Sequence, residues 1–119
     1  SFADRRAALA TRVRAHELTV APGVFDLVSA RIADKAGFAA LYMTGYGVSA
    51  SRMGLPDAGL TSFADMVDQA RRLTAGTSAP LIADADTGFG GLLNVRHTVE
   101  GYEAVGVAAI RLHAGRDAR

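Results

Sequence analysis

The sequence predicts an α/β fold built on a parallel sheet, and three observations carry that prediction. Short apolar runs alternate with helix-period patterns along all 119 residues, the arrangement of successive βα units. The 119 residues, half of them hydrophobic, are enough for one modest core and too few for two ordinary domains. The segments with chemical character, Gly45-Tyr46-Gly47 and Asp84 to Gly91, each follow an apolar run. Doubly wound sheets and (β/α)8 barrels both place their sites at such strand ends, so position alone leaves both architectures open.

A leading helix is expected from about Asp4 to His16, where Ala7, Ala8, Leu9 and Ala10 favour that state. Thr19-Val20-Ala21 reads as a short strand ended by Pro22-Gly23. Asp26 reads as the cap of a helix running to Ala36, with Gly37 as its stop. Phe38 to Thr44 reads as the second strand, and Val48 to Leu60 as a long loop. Ser62 with Asp65 forms a capping-box pattern, and Phe63, Met66, Val67, Ala70 and Leu73 share one helical face. Pro80 to Ala83 reads as the third strand. Asn94 is expected to cap a helix with Val95, Val99 and Tyr102 inward and Gly106 at its end. Val107 to Leu112 completes the pattern as a fourth strand.

The formal charge is +1, and the charged residues are scattered without a basic stripe or acidic run. Neither nucleic acid nor a membrane surface is expected as a partner. Zero cysteines exclude a disulfide framework or thiolate metal site within these residues. The apolar runs are strand-sized, and a cytoplasmic location is the default expectation. Gly88, Gly90 and Gly91 lack both the Gly-x-Gly-x-x-Gly spacing and a following Gly-Lys-Ser/Thr, which argues against nucleotide binding. His16 and His97 read as surface residues, and Arg31 and Lys35 as solvated.

Asp84 and Asp86 stand two residues apart where the run Pro80-Leu81-Ile82-Ala83 opens into a glycine-rich loop. Alternate residues of a strand point the same way, so the two carboxylates can aim at one point. Such a pair suits Mg²⁺, which takes one or two carboxylates plus waters and substrate oxygens.

Three ordered motifs over roughly residues 18 to 112 resemble the isocitrate lyase/phosphoenolpyruvate mutase superfamily. They are Val20-Ala21-Pro22-Gly23-Val24-Phe25-Asp26, then Thr44 to Ser51 with Gly54-Leu55-Pro56-Asp57, and Asp84-Ala85-Asp86-Thr87-Gly88-Phe89-Gly90. The resemblance implies a (β/α)8 TIM-type barrel, of which the chain shows the leading helix and about four βα units. It further implies Mg²⁺, or Mn²⁺ in its place, and a small carboxylate substrate cleaved through an enolate. By the same resemblance Asp84 is a metal ligand, and Asp86 and Asp57 coordinate the metal or hold its waters. Thr44, Gly45 and Tyr46 would contact the substrate carboxylate or keto oxygen. Tyr46 stands where glycine is frequent in the methylisocitrate-type members.

The chain departs from the family pattern after its fourth strand. Family members continue into a Glu-Asp pair, and the lyase members into a loop carrying lysines and a general-acid cysteine, whereas here Ile110-Arg111-Leu112 is followed by His113-Ala114-Gly115-Arg116. The expectation is a single domain, residues 1–119, forming the N-terminal half of a barrel and belonging to an incomplete chain, with residues absent between Leu112 and His113. The leading expectation for function is a Mg²⁺-dependent lyase that cleaves a C–C bond in a small 2-hydroxy di- or tricarboxylate of methylisocitrate type. Its alternatives are a phosphonopyruvate or phosphoenolpyruvate mutase or hydrolase, or an oxaloacetate decarboxylase, of the same superfamily. A different class of expectation is a non-catalytic half-barrel that self-associates. A homo-oligomer, a tetramer in complete family members, is the expected assembly.

Overall fold

A computed structural model describes residues 1–54, 62–85, 88 and 91–112. In chain order the elements are α1 (Phe2–Arg14), β1 (Gly23–Val24), α2 (Leu27–Lys35), β2 (Leu41–Met43), α3 (Gly45–Met53), α4 (Phe63–Gly76), β3 (Leu81–Asp84), α5 (Leu92–Ala104) and β4 (Ala109–Arg111). The four strands form one sheet in the order β1-β2-β3-β4, and every pair is parallel. A doubly wound sheet reverses its strand order at a switch point. None occurs among these strands, so the sequential order selects the barrel-type arrangement that spacing alone left open.

The register divides the sheet into two unlike faces. Leu41, Met43, Leu81 and Ala83 are buried in one cluster with Ala30 and Ala33 of α2, Met66, Ala70 and Leu73 of α4, and Tyr102 of α5. Tyr42, Ile82 and Ala109 are register partners on the opposite face and only half-buried. The helices therefore cover one side of the sheet. Helix α1 lies across the far ends of α4 and α5: Arg5 Nη1 donates to the Thr74 carbonyl at 2.8 Å, and Arg6 Nη2 donates to the Glu103 carbonyl at 2.6 Å. Among the described residues no helix is long and apolar enough to cross a membrane.

Local signals explain the helices that start where expected. Asp26 Oδ1 accepts from the Ser29 N–H at 2.8 Å, and Ser29 Oγ accepts in return from the Asp26 N–H. Ser62 and Asp65 make the same reciprocal box on α4. Gly37 and Gly106 follow α2 and α5 in the left-handed region, at φ +88° and +92°.

Four elements differ from expectation. The first strand is Gly23–Val24 rather than Thr19–Ala21, since Val24 is buried while Val20 is 57% exposed. Pro22 does not end it. Its carbonyl accepts from the Tyr42 N–H at 3.0 Å, and proline is tolerated at the start of an outer strand. Strand β2 stops at Met43, and the region expected as a loop from Val48 begins inside helix α3, capped by Thr44 and closed by Gly54 at φ +66°. Helix α5 starts from Gly91 rather than Asn94, without a side-chain cap bond. Its buried stripe is Thr98 and Tyr102, while Val99 is 38% exposed. Among the described residues four helices lie between the strands, with α3 and α4 both between β2 and β3.

Candidate functional site

The C-terminal ends of β2 and β3 lie side by side, because Met43 pairs with Ala83. The next residue on each chain is Thr44 and Asp84, so the expected substrate-binding segment and the expected metal ligand meet at one edge of the sheet. Thr44 Oγ1 accepts from the Gly47 N–H at 3.3 Å, which caps α3. Gly45 and Tyr46 contribute the first two N–H groups of that helix, and such groups have no carbonyl within the helix to receive them. They lie at its positive pole. Tyr46 is 61% exposed.

Gly45 lies against the Asp84 side chain of β3. A Cβ there would stand 2.8 Å from Asp84 Oδ2, closer than real side chains come. Gly47 is similarly confined, since its Cβ would lie 2.5 Å from Thr44 Cγ2 and 2.9 Å from Phe25 Cβ. The two glycines that disguise the first turn of α3 as a loop are thus what lets that turn pack against Asp84 and Phe25.

Behind Asp84, helix α5 reaches the loop that follows β3. The Tyr102 hydroxyl donates to the Asp84 carbonyl oxygen at 3.2 Å, and the Thr98 hydroxyl faces the Gly88 carbonyl at 2.8 Å. Gly88 itself donates its N–H to the Ala85 carbonyl at 2.8 Å and sits at φ +92°. Burial pushes the Tyr102 phenol well above the ordinary tyrosine range, and the Asp84 charge adds to the shift. The phenol therefore stays protonated and remains a donor.

Two residues of the edge carried no expectation from sequence. Arg111 is the register partner of Asp84 on β4, and its Nη1 donates to the Tyr42 hydroxyl at 3.4 Å. Its guanidinium is held above the ordinary arginine range mainly by that hydrogen bond, with the Asp84 charge also contributing. The sheet period was the available signal: Tyr42, Asp84 and Arg111 all occupy the face opposite the helix-packed core. An arginine one residue before the end of an apolar run points to that face once the register is known.

The residues present fit a divalent cation. Asp84 supplies a hard carboxylate oxygen at a strand end, the donor type that Mg²⁺ takes, and its Oδ2 lies against Gly45. Asp57 and Asp86, the other acidic residues expected here, lie outside the described residues, as do His113 and its junction with Leu112. Among the described residues no group of three or more metal-ligating side chains gathers.

Comparison with known proteins agrees with this architecture. The family model for phosphoenolpyruvate phosphomutase matches residues 9–118. The 2,3-dimethylmalate lyase of Eubacterium barkeri is 49% identical over 96 residues, covering 81% of this chain and 33% of that protein. The 2-methylisocitrate lyase of Shewanella oneidensis strain MR-1 is 42% identical over 90 residues, covering 76% of this chain and 31% of that protein. Among solved structures, phosphonopyruvate hydrolase in complex with oxalate and Mg²⁺ superposes with a TM-score of 0.87 at 35% identity, covering 91% of this chain and 38% of that one. The chain thus spans about a third of the length of the relatives it matches.

Proposed function

Since the chain belongs to the phosphoenolpyruvate phosphomutase family, whose model matches residues 9–118, we propose that it carries the metal-binding edge of a C–C lyase. The substrate class is a small 2-hydroxy di- or tricarboxylate of the malate or methylisocitrate type. The observation that carries this reading is the meeting of Asp84 with the Gly45 end of α3. Relatives named for 2,3-dimethylmalate and 2-methylisocitrate, at 49% and 42% identity, support it.

In this reading Asp84 holds Mg²⁺ or Mn²⁺, with Asp86 and Asp57 as further acidic groups. When bound, the divalent ion supplies positive charge where negative charge develops on the substrate oxygen at C2. The N–H groups of Gly45 and Tyr46 receive a substrate carboxylate at the helix N-terminus, where the dipole and unsatisfied donors favour an anion. Thr44 turns the chain into that helix and keeps its hydroxyl proton available for a substrate oxygen. Tyr46, being exposed, closes over the carboxylate rather than supporting the fold. Tyr42 and Arg111 line the sheet face beside Asp84 and keep a cation next to the bound anion.

Thermal unfolding with Mg²⁺ and oxalate tests this reading. Ligand at about 100 times its Kd stabilises by about 2.7 kcal/mol through mass action. The unmodified chain should show that upward shift and Asp84→Asn should not; equal shifts in both would remove Asp84 from the metal site.

The phosphonopyruvate hydrolase neighbour, at a TM-score of 0.87, favours a second reading in which a P–C bond is broken at the same edge. Product analysis with phosphonopyruvate and with 2,3-dimethylmalate separates the two. The half-buried sheet face of Tyr42, Ile82 and Ala109 favours a further one, self-association of a non-catalytic chain. That alternative requires an oligomer whose stability ignores Mg²⁺.

A further inference from the structure

We propose that Thr98 and Tyr102 are positioning residues that hold the Asp84 and Gly88 carbonyls from behind and set the aim of the Asp84 carboxylate. This rests on the assignment of Asp84 to the metal. The two hydroxyls stand four residues apart on α5, one turn of helix, and therefore on one face. Both residues are buried, at 1% and 0% exposure. One reaches the carbonyl of Asp84 and the other the carbonyl of Gly88, so they hold the loop at its two flanks. Only three residues, Ala85, Asp86 and Thr87, separate those anchor points. Ala85 is itself bonded on both sides: its N–H donates to the Arg111 carbonyl at 2.9 Å, and its carbonyl accepts from Gly88.

The two grips differ in chemistry. Tyr102 has one proton, directed to the Asp84 carbonyl at 3.2 Å. Thr98 has one proton and two carbonyls at 2.8 Å, those of Gly88 and of Asn94 in its own helix. A hydroxyl donates to one acceptor at a time. The Thr98 proton is thus shared between an acceptor beyond β3 and one in its own helix, whereas the Tyr102 hydroxyl is directed to Asp84. Packing does not depend on either hydroxyl. The Tyr102 ring meets Phe63 edge to face at 5.6 Å, and a phenylalanine keeps that contact.

Residues that orient ligating groups influence metal affinity without touching the metal, typically by 10- to 100-fold. Titration of the full chain with Mg²⁺ in the presence of oxalate, for Tyr102→Phe, Thr98→Val and Thr98→Ser, is the test. Tyr102→Phe is expected to weaken Mg²⁺ roughly tenfold, Thr98→Val less, and Thr98→Ser to match the parent chain. Amide exchange at Gly88 read without metal should quicken in Thr98→Val and stay slow in Thr98→Ser. Variants that unfold at lower temperature yet bind Mg²⁺ as the parent does, with Gly88 exchange unchanged, would assign both hydroxyls to stability alone and overturn the proposal. If the parent chain shows no Mg²⁺ response while Gly88 exchange behaves as expected, the metal assignment of Asp84 fails and the grip on the loop stands without it.

Discussion

The Asp84 carboxylate occupies the place where a side chain at residue 45 would begin, with Oδ2 only 2.8 Å and Cγ 3.4 Å from a Cβ built on Gly45. A larger residue at position 45 would therefore force the Asp84 carboxylate to turn away from α3.

Gly45→Ala is accordingly expected to abolish the Mg²⁺–oxalate shift while costing about 1–3 kcal/mol, the usual range for a methyl forced into a packed site. Gly91→Ala is the matched control, since a Cβ there meets nothing within 4 Å and φ is −75°. Denaturant midpoints and ligand-induced shifts for the pair decide the matter. Retention of the shift in Gly45→Ala would show that Asp84 does not need its present position.

Tyr102 makes stability depend on pH in a defined direction. Its folded-state pKa is raised above the ordinary value of 10.0, so the unfolded chain loses that proton first. The contribution is complete below pH 10 and declines as pH rises beyond it. Unfolding measured from pH 9 to 11.5 should show a steeper loss for the parent chain than for Tyr102→Phe. Parallel curves would mean that the phenol is no more shielded in the folded state than in the unfolded one.

Arg111 places a permanent cation beside the carboxylate assigned to the metal. Like charges repel, and at an exposed site solvent and salt screen most of that repulsion. Arg111→Gln is expected to bind Mg²⁺ alone roughly two- to fivefold more tightly and oxalate alone more weakly. Arg111→Lys should stay near the parent values. Calorimetric titration at two salt concentrations checks both the sign and its screening.

Asp34 ties α2 to the turn before β3, accepting from the Ser78 N–H at 2.8 Å and the Ala79 N–H at 3.0 Å. Charged acceptors make the stronger hydrogen bonds, and removing one strands its donors. Asp34→Ala is expected to cost about 2 kcal/mol, and Asp34→Asn about half as much because one carbonyl acceptor survives. Urea unfolding measures both, and Mg²⁺ affinity should be untouched.

Much of this arrangement was legible from residues close in sequence. The boxes at Asp26–Ser29 and Ser62–Asp65 are local, so the starts of α2 and α4 could be read directly. The placement of Asp84 followed from an apolar run ending in an acidic residue, and the family resemblance added Thr44 and Gly45. Helix α3 was illegible because two glycines open it, and their low helix propensity is outweighed only by packing against Asp84 and Phe25 from other elements. Strand β1 was misplaced because two residues carry no period, and its position depends on pairing with Tyr42 and Met43. Thr98 was passed over because a polar residue in an apolar stripe reveals its partner only when the Gly88 carbonyl is in place. Asp57 and Asp86 fall outside the described residues, so the acidic half of that reading rests on sequence.

Arg6 sets the timetable by which such a chain acquires its shape. Its guanidinium donates to the carbonyls of Val107 and Glu103, partners 101 and 97 residues along the chain. Each βα unit contacts its successor, so assembly can advance strand by strand as the polypeptide leaves the ribosome. Helix α1 precedes α5 in the chain, so beyond the Arg5 bond to Thr74 of α4 it cannot complete its docking until the end of α5 has emerged. During that interval its apolar residues stay uncovered, and closing so long a loop carries an entropic cost that grows slowly with its length. Helix α1 thus completes its contacts only after elements that follow it in the chain.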